Sequence, residues 1–290
     1  MSSTESAESI RIELRRPIAI EVLRSFLSVR AIAGVEEVRE GTYMRSLPAG
    51  HGSAVWSLAV DPVESVAEVT IHAGARADRT QIVEAARTTF DLDADPVEID
   101  AILGRDPALA PLVARTPGIR MPGAPDRFEL LIRAVFGQQV SVAGARTSLG
   151  AFVARFGTAL EEPFASVTHA FPESGRVAAI APEELGMPRR RAETIRRLGE
   201  AVASGTLDLS NGERALAALA DMPGIGPWTL DYVAMRGFHD GDAFPATDLG
   251  IRRSFEALGL PATTREILHR AERWRPYRAY AVMHLWNANV

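Results

Sequence analysis

Along the first third of the chain apolar and polar residues alternate in short stretches, RIELRRPI (residues 11–18), AVWSLAV (54–60) and AEVTIHA (67–73), separated by turns containing Gly, Pro and Asp. Period-two alternation puts successive side chains on opposite faces of an extended chain, so these stretches predict three to five antiparallel strands. IAIEVLRSFLSV (18–29) and RTQIVEAARTTF (79–90) instead carry apolar residues at helical spacing. They predict two helices covering a small sheet.

Past DLDADP (91–96) the alternation gives way to amphipathic segments divided by Gly and Pro. The boundary is drawn there, giving an N-terminal α+β domain, residues 1–93, and an all-helical region, residues 94–290. In DRFELLIRAVFGQQVSVAG, Asp126 is placed as an N-cap, and Phe128, Leu131, Ile132, Val135 and Phe136 share one helical face. Gly137 breaks that run before a second helix from Val142 to Phe156. Later helices are predicted at 188–204, 212–219, 227–236, 248–258, 264–273 and 277–287, with no internal repeat.

At 290 residues and 47% apolar content the chain can bury a sizeable core, about two domains by length. It has no cysteine, which removes disulfides, thiolate zinc sites, iron–sulfur clusters and cysteine nucleophiles. MSSTESAESI lacks a basic stretch followed by an apolar core, and no apolar run approaches the roughly 18 residues of a membrane span. A cytoplasmic protein with no membrane contact is the expectation. The net charge of -5 argues against one that coats nucleic acid non-specifically. RRRAETIRR (189–197) is a local basic run that, taken alone, reads as a solvated helix face. The six histidines show no HxxxH or HExxH spacing, so no zinc site is expected. Every basic side chain among the 32 Lys and Arg positions is arginine; the chain contains no lysine.

In LADMPGIGPWTLDYVAMRGF (219–238), Pro223, Gly224, Ile225 and Gly226 stand between two helical patterns, with the whole unit at about 212–236. Two glycines permit backbone conformations closed to other residues and let another backbone approach. The amides opening the next helix would be unpaired and suit a phosphate oxygen, with Ile225 as the buried plug. A Gly-x-Gly turn alone reads equally well as a plain helix connection.

The longer context resembles the helix-hairpin-helix of the DNA glycosylase superfamily, in which a catalytic aspartate follows the hairpin at a set distance. Here that is Asp248, in AFPATDLGIRRSF, 20 residues beyond Trp228. VEEVREGTYMRSLP, ILGRDP, PGIRMPGAPDRFELLIRAVFGQQVSVAGA and AERWRPYRAYAVMHLW are similar, in the same order, to the bacterial DNA-3-methyladenine glycosylase II family. The resemblance implies a sheet-containing N-terminal domain, a two-lobed helical catalytic region, and monomeric hydrolytic excision of alkylated purines from damaged double-stranded DNA. It implies Asp248 as the essential carboxylate and Gln138-Gln139 as a wedge filling the gap left by a flipped base. Trp228, Tyr232 and Trp286 would form an aromatic base pocket, which Phe26 would close; cationic alkylated purines would gain cation–π attraction there. No cofactor is required; a monovalent cation on hairpin carbonyls near residues 221–226 occurs in the family. The chain departs from some members at Gln139, where they carry leucine, and at Asn287, where a tyrosine can occur.

Each of these residues also has a plainer role. The aromatics would otherwise be core, the glutamines a solvated helix end, and Asp248 an N-cap for LGIRRSFEALG, a task that Thr247 could take instead. Relatives that also cut the strand use a lysine Schiff base, which this composition excludes, leaving water as the nucleophile. The alternatives are a glycosylase of the same superfamily for other damaged or deaminated bases, and a non-catalytic DNA-binding module. An adaptive-response regulator would need a cysteine-rich methyl-acceptor region.

Overall fold

The structure, a computed structural model, describes residues 8–49, 52–74 and 78–288; residues 1–7, part of the segment read for a targeting signal, lie outside these. Five strands form one antiparallel sheet: β1 (Glu8–Glu13), then after helix α1 (Ile20–Ser28) the strands β2 (Glu36–Arg39), β3 (Thr42–Ala49), β4 (Gly52–Asp61) and β5 (Val66–Ala73). Their order is β1-β5-β4-β3-β2. The β2–β3 connection is a two-residue turn in which Glu40 and Gly41 both have positive φ, 51° and 79°, the turn whose twist matches a hairpin.

Helix α2 (Arg79–Phe90) follows, then α3 (Pro96–Leu103), capped by Asp95, and α4 (Ala110–Arg115). Next come α5 (Arg127–Gly137) and α6 (Val142–Phe156), whose N-terminal amides are capped by Asp126 and Ser141. A hairpin of β6 (Thr158–Phe164) and β7 (Val167–Ala170) interrupts the predicted all-helical run. It docks on the first sheet: the Thr168 amide donates to the Gly34 carbonyl at 2.8 Å, the Ser46 hydroxyl to the His169 carbonyl at 2.7 Å, and Phe164 stacks on His72. The short α7 (Ser174–Ala178) precedes α8 (Arg189–Ala203), α9 (Gly212–Ala220), α10 (Pro227–Gly237), α11 (Leu249–Ala257), α12 (Thr264–Ala271) and α13 (Arg278–Asn287).

Among the described residues two large apolar cores organise these elements, and a small third one, Met44, Val55 and Val167, lies under the β6–β7 hairpin. The first joins the sheet, α1 to α4 and the C-terminal helices α11 to α13 around Trp56, Phe90, Phe255 and Trp274. The second joins α5, α6, α8, α9 and α10 around Ile132, Phe152, Ile195 and Leu219. Packing therefore runs on past residue 93, where the type of element changes, and the last three helices return to the sheet's core.

A buried ion network ties the sheet to α5. Arg45 on β3 meets Glu129 at 2.6 Å, Arg133 meets Glu129 at 2.6 Å and also bonds Glu36 on β2, and the Tyr43 hydroxyl donates to Glu36. Burial alone would raise the Glu36 carboxyl, but Arg133 and Arg45 outweigh it and hold it below its ordinary value. Charges taken out of water are tolerated only while paired, so removing one member leaves an uncompensated charge in the interior. Arg45→Met is expected to cost about 3–5 kcal/mol in urea unfolding at neutral pH; a loss below about 1 kcal/mol would show that the network does not hold these elements together.

Candidate active site

Asp248 begins α11 as its N-cap. Its Oδ1 accepts the Ile251 amide at 3.0 Å and the Trp286 indole N–H at 2.9 Å, and its Oδ2 accepts the Trp228 indole N–H at 2.8 Å. Three donors from α10, α11 and α13 thus fix both oxygens of one half-buried carboxylate. A carboxylate offers about four lone-pair directions, so this cage leaves room for a further partner. Thr247, offered by sequence as an alternative cap, is exposed, and Asp248 itself caps the helix. The predicted catalytic and capping roles therefore fall on the same side chain. Gly250 makes the arrangement compact: a Cβ there would lie 3.0 Å from both Asp248 Oδ1 and a Trp286 ring carbon.

The predicted aromatics gather around this carboxylate. Trp228 and Tyr232, one helical turn apart on α10, are stacked at 5.1 Å and 14°, and Tyr232 lies 6.5 Å from Trp286. Phe26, from α1, stacks against Trp286 at 6.1 Å and 15°. The site therefore draws on both cores, with Phe26 and Trp286 packed in the first and Tyr232 against the second.

Two arginines that the sequence pattern did not single out complete the cluster. The Arg30 guanidinium lies 3.7 Å from the Phe26 ring centre, and that of Arg236 lies 4.9 Å from it. Arg236 also donates to the Tyr232 hydroxyl at 2.8 Å and is held by the Pro122 and Gly123 carbonyls. Burial pulls Arg30 down to about 10, with Tyr232 and Asp248 opposing that and Arg236 adding to it. Burial would raise the Tyr232 phenol, but Arg236 and Arg30 outweigh it and hold it below its ordinary value. The Phe26 ring thus already carries cation–π contacts from two of the protein's own arginines. Their spacing was a readable signal, since Arg30 follows Phe26, and Arg236 follows Tyr232, by one helical turn.

The structure separates the two glutamines of the predicted wedge. Gln138 is turned inward, its Nε2 donating to the Gly224 carbonyl at 3.0 Å and to the Thr229 hydroxyl at 3.2 Å. It braces the α5–α6 turn against the α9–α10 hairpin. Gln139 is exposed at the tip of that turn in the left-handed region, φ 58°, followed by the exposed Val140 and Val142.

In the hairpin, Gly224 has φ 96°, and a Cβ there would lie 2.1 Å from Thr194 Oγ1 on α8. Both conformation and contact demand glycine. Gly226 needs correction, because its φ is -107°, open to any residue, and a Cβ there would meet nothing within 4 Å. Its smallness leaves open space over the start of α10, where Pro227 lacks an N–H and the N-cap Gly226 has no side chain with which to cap the first-turn amides. Ile225 is the buried plug predicted for it. Gly224→Ala is expected to lower unfolding stability by about 2 kcal/mol or more and Gly226→Ala to stay within about 0.5 kcal/mol, measured in denaturant; equal losses would contradict this division of labour.

Residues 9–126 match the family model of the AlkA N-terminal domain, and residues 132–277 match that of the HhH-GPD superfamily base excision DNA repair proteins. The "DNA-3-methyladenine glycosylase 2" of Escherichia coli K12 is 35% identical over 267 residues, 90% of each chain. A Mycobacterium tuberculosis protein named "Probable bifunctional transcriptional activator/DNA repair enzyme AlkA" is 40% identical over 290 residues, which cover 98% of this chain and 58% of that relative. The chain thus spans little more than half the length of that longer relative. The solved structure of a 3-methyladenine DNA-glycosylase from Archaeoglobus fulgidus shares the fold, with a TM-score of 0.85 over 97% of this chain and 98% of its own at 22% identity.

Proposed function

This chain belongs to the HhH-GPD superfamily of base excision DNA repair proteins, and from that membership we propose that it is a monofunctional DNA N-glycosylase that excises alkylated purines from duplex DNA. The observation that carries the reading is the Asp248 carboxylate, held by three N–H donors at the edge of an aromatic cluster. A buried base must first be rotated out of the stack, at a cost of about a few kcal/mol that falls where the pair is already damaged. Gln139 is the wedge in this mechanism, exposed on a turn that Gln138 braces against the hairpin. The hairpin Pro223 to Gly226 and the open amides after it take backbone phosphate.

When the glycosidic bond breaks, its electron pair leaves with the base and positive charge develops on the sugar. A fixed carboxylate under the ring stabilises that state more than the ground state. At about 4 Å and an effective dielectric of roughly 20 the attraction is on the order of 4 kcal/mol, about three decades in rate. Water, oriented by Asp248, then adds to the anomeric carbon and releases its proton to solvent. The products are a free base and an abasic site. An alkylated cationic purine leaves without prior protonation, so the aromatic pocket has only to admit it and stack on it.

No step draws on a cofactor, and the hairpin cation is no part of this chemistry. In the turn that would hold it, the carbonyls of Met222, Pro223, Gly224 and Gly226 each accept a hydrogen bond within the protein, which leaves them one lone pair apiece for an ion.

Incubated with randomly methylated duplex DNA, the protein is expected to release methylated purines identifiable by mass, and Asp248→Asn to lower the rate by about three decades while keeping the fold. Full activity in that variant would remove the proposal. With no lysine in the chain, borohydride is expected to trap no protein on DNA; stoichiometric trapping would exclude the hydrolytic route. Gln139→Ala is expected to weaken binding to an abasic-site duplex, whereas unchanged affinity would remove its wedge role.

A further inference from the structure

The basic run on α8 reads from sequence as a solvated helix face. In the folded protein that helix backs the hairpin. The Thr194 hydroxyl donates to the carbonyls of Arg190, at 3.0 Å, and of Pro223, at 3.2 Å, and Thr194 is the residue against which Gly224 is packed. Positions 190, 194 and 197 follow an i, i+4, i+7 spacing, so Arg190 and Arg197 lie along one stripe of α8 on either side of the residue that touches the hairpin. Arg189 and Arg196 lie on the other side of the helix.

The stripe also differs in its counter-charges. Arg189 pairs with Glu193 at 3.1 Å and Arg196 with Glu200. Arg190 is exposed and makes no ion pair among the described residues, and Arg197 reaches Glu193 only at 3.6 Å, with 41% of its side chain exposed. In a chain of net charge -5, an unneutralised arginine beside a hairpin suited to phosphate marks a second anionic contact continuous with the first.

We propose that Arg190 and Arg197 extend the hairpin's grip along the DNA backbone, each engaging a phosphate that neighbours the one held by the Pro223–Gly226 turn. The ligand is the sugar-phosphate strand, so the contact adds affinity and register without reading a base. The proposal rests on the DNA-binding reading above but is separable from it.

The test compares dissociation constants for an abasic-site duplex across a salt series, about 50–200 mM. Removing one arginine–phosphate interaction is expected to reduce the slope of log affinity against log salt by about 0.9. Arg190→Gln with Arg197→Gln should therefore flatten the slope by about 1.8, and the same positions changed to Lys should restore most of it. Arg189→Gln with Arg196→Gln, a charge-matched change on the opposite side of α8, should leave the slope within about 0.5 of wild type, as expected where no phosphate is engaged. Equal flattening by both pairs would reduce the effect to the general field and overturn the proposal, as would an unchanged slope in the Arg190 and Arg197 pair. Failure of the wild-type protein to bind the duplex at all would instead strike the proposed function.

Discussion

One carboxylate held by donors from three helices is the constraint on which this molecule turns. Asp248 meets the indole N–H of Trp228 from α10, that of Trp286 from α13 and the Ile251 amide of its own helix, α11. Those donors converge because α10, whose residues pack into both apolar cores, and α13, packed in the first, are held at a fixed separation. The buried Arg45, Glu129, Arg133 and Glu36 network serves the same end from further off. It joins the sheet to α5, whose last turn leads into the loop of Gln138 and Gln139. The stability of the interior and the geometry of the site are thus the same set of contacts seen at two distances.

The hairpin is bound into this arrangement from two sides. Thr194 closes on Gly224 from α8, and Gln138 holds the Gly224 carbonyl from the α5–α6 turn. One hydrogen bond thus ties the α5–α6 turn, where the wedge is proposed, to the hairpin proposed to hold phosphate. That coupling suits a protein that must grip a strand and open it at one place.

Much of this was legible in the sequence, and the physical reason is locality. Helix signals are local, so Asp126 before FELLIRAVF and the apolar spacing of α1 and α2 marked those elements correctly. What escaped was set by distant partners. The β6–β7 hairpin has an exposed, glutamate-containing first strand with no clean alternation, and it forms because β3 and the loop at Gly34 receive it. The pairing of Arg45 with Glu129 spans 84 positions, and no period reports it. The choice between Gln138 and Gln139 depended on which faced the hairpin, and the choice between Asp248 and Thr247 on where α11 begins. In both cases packing with distant elements separates two adjacent residues that local sequence leaves equivalent.

The central claim is that a negative charge lies beneath the sugar when the base departs. It is tested most directly by comparing the affinity of the protein for two duplexes, one with a positively charged pyrrolidine ring in place of the deoxyribose and one with a neutral tetrahydrofuran ring. If Asp248 is aimed at the developing charge, the cationic ring binds tighter by on the order of 10²-fold or more, as expected for a transition-state mimic. Equal affinity for the two rings would contradict that claim.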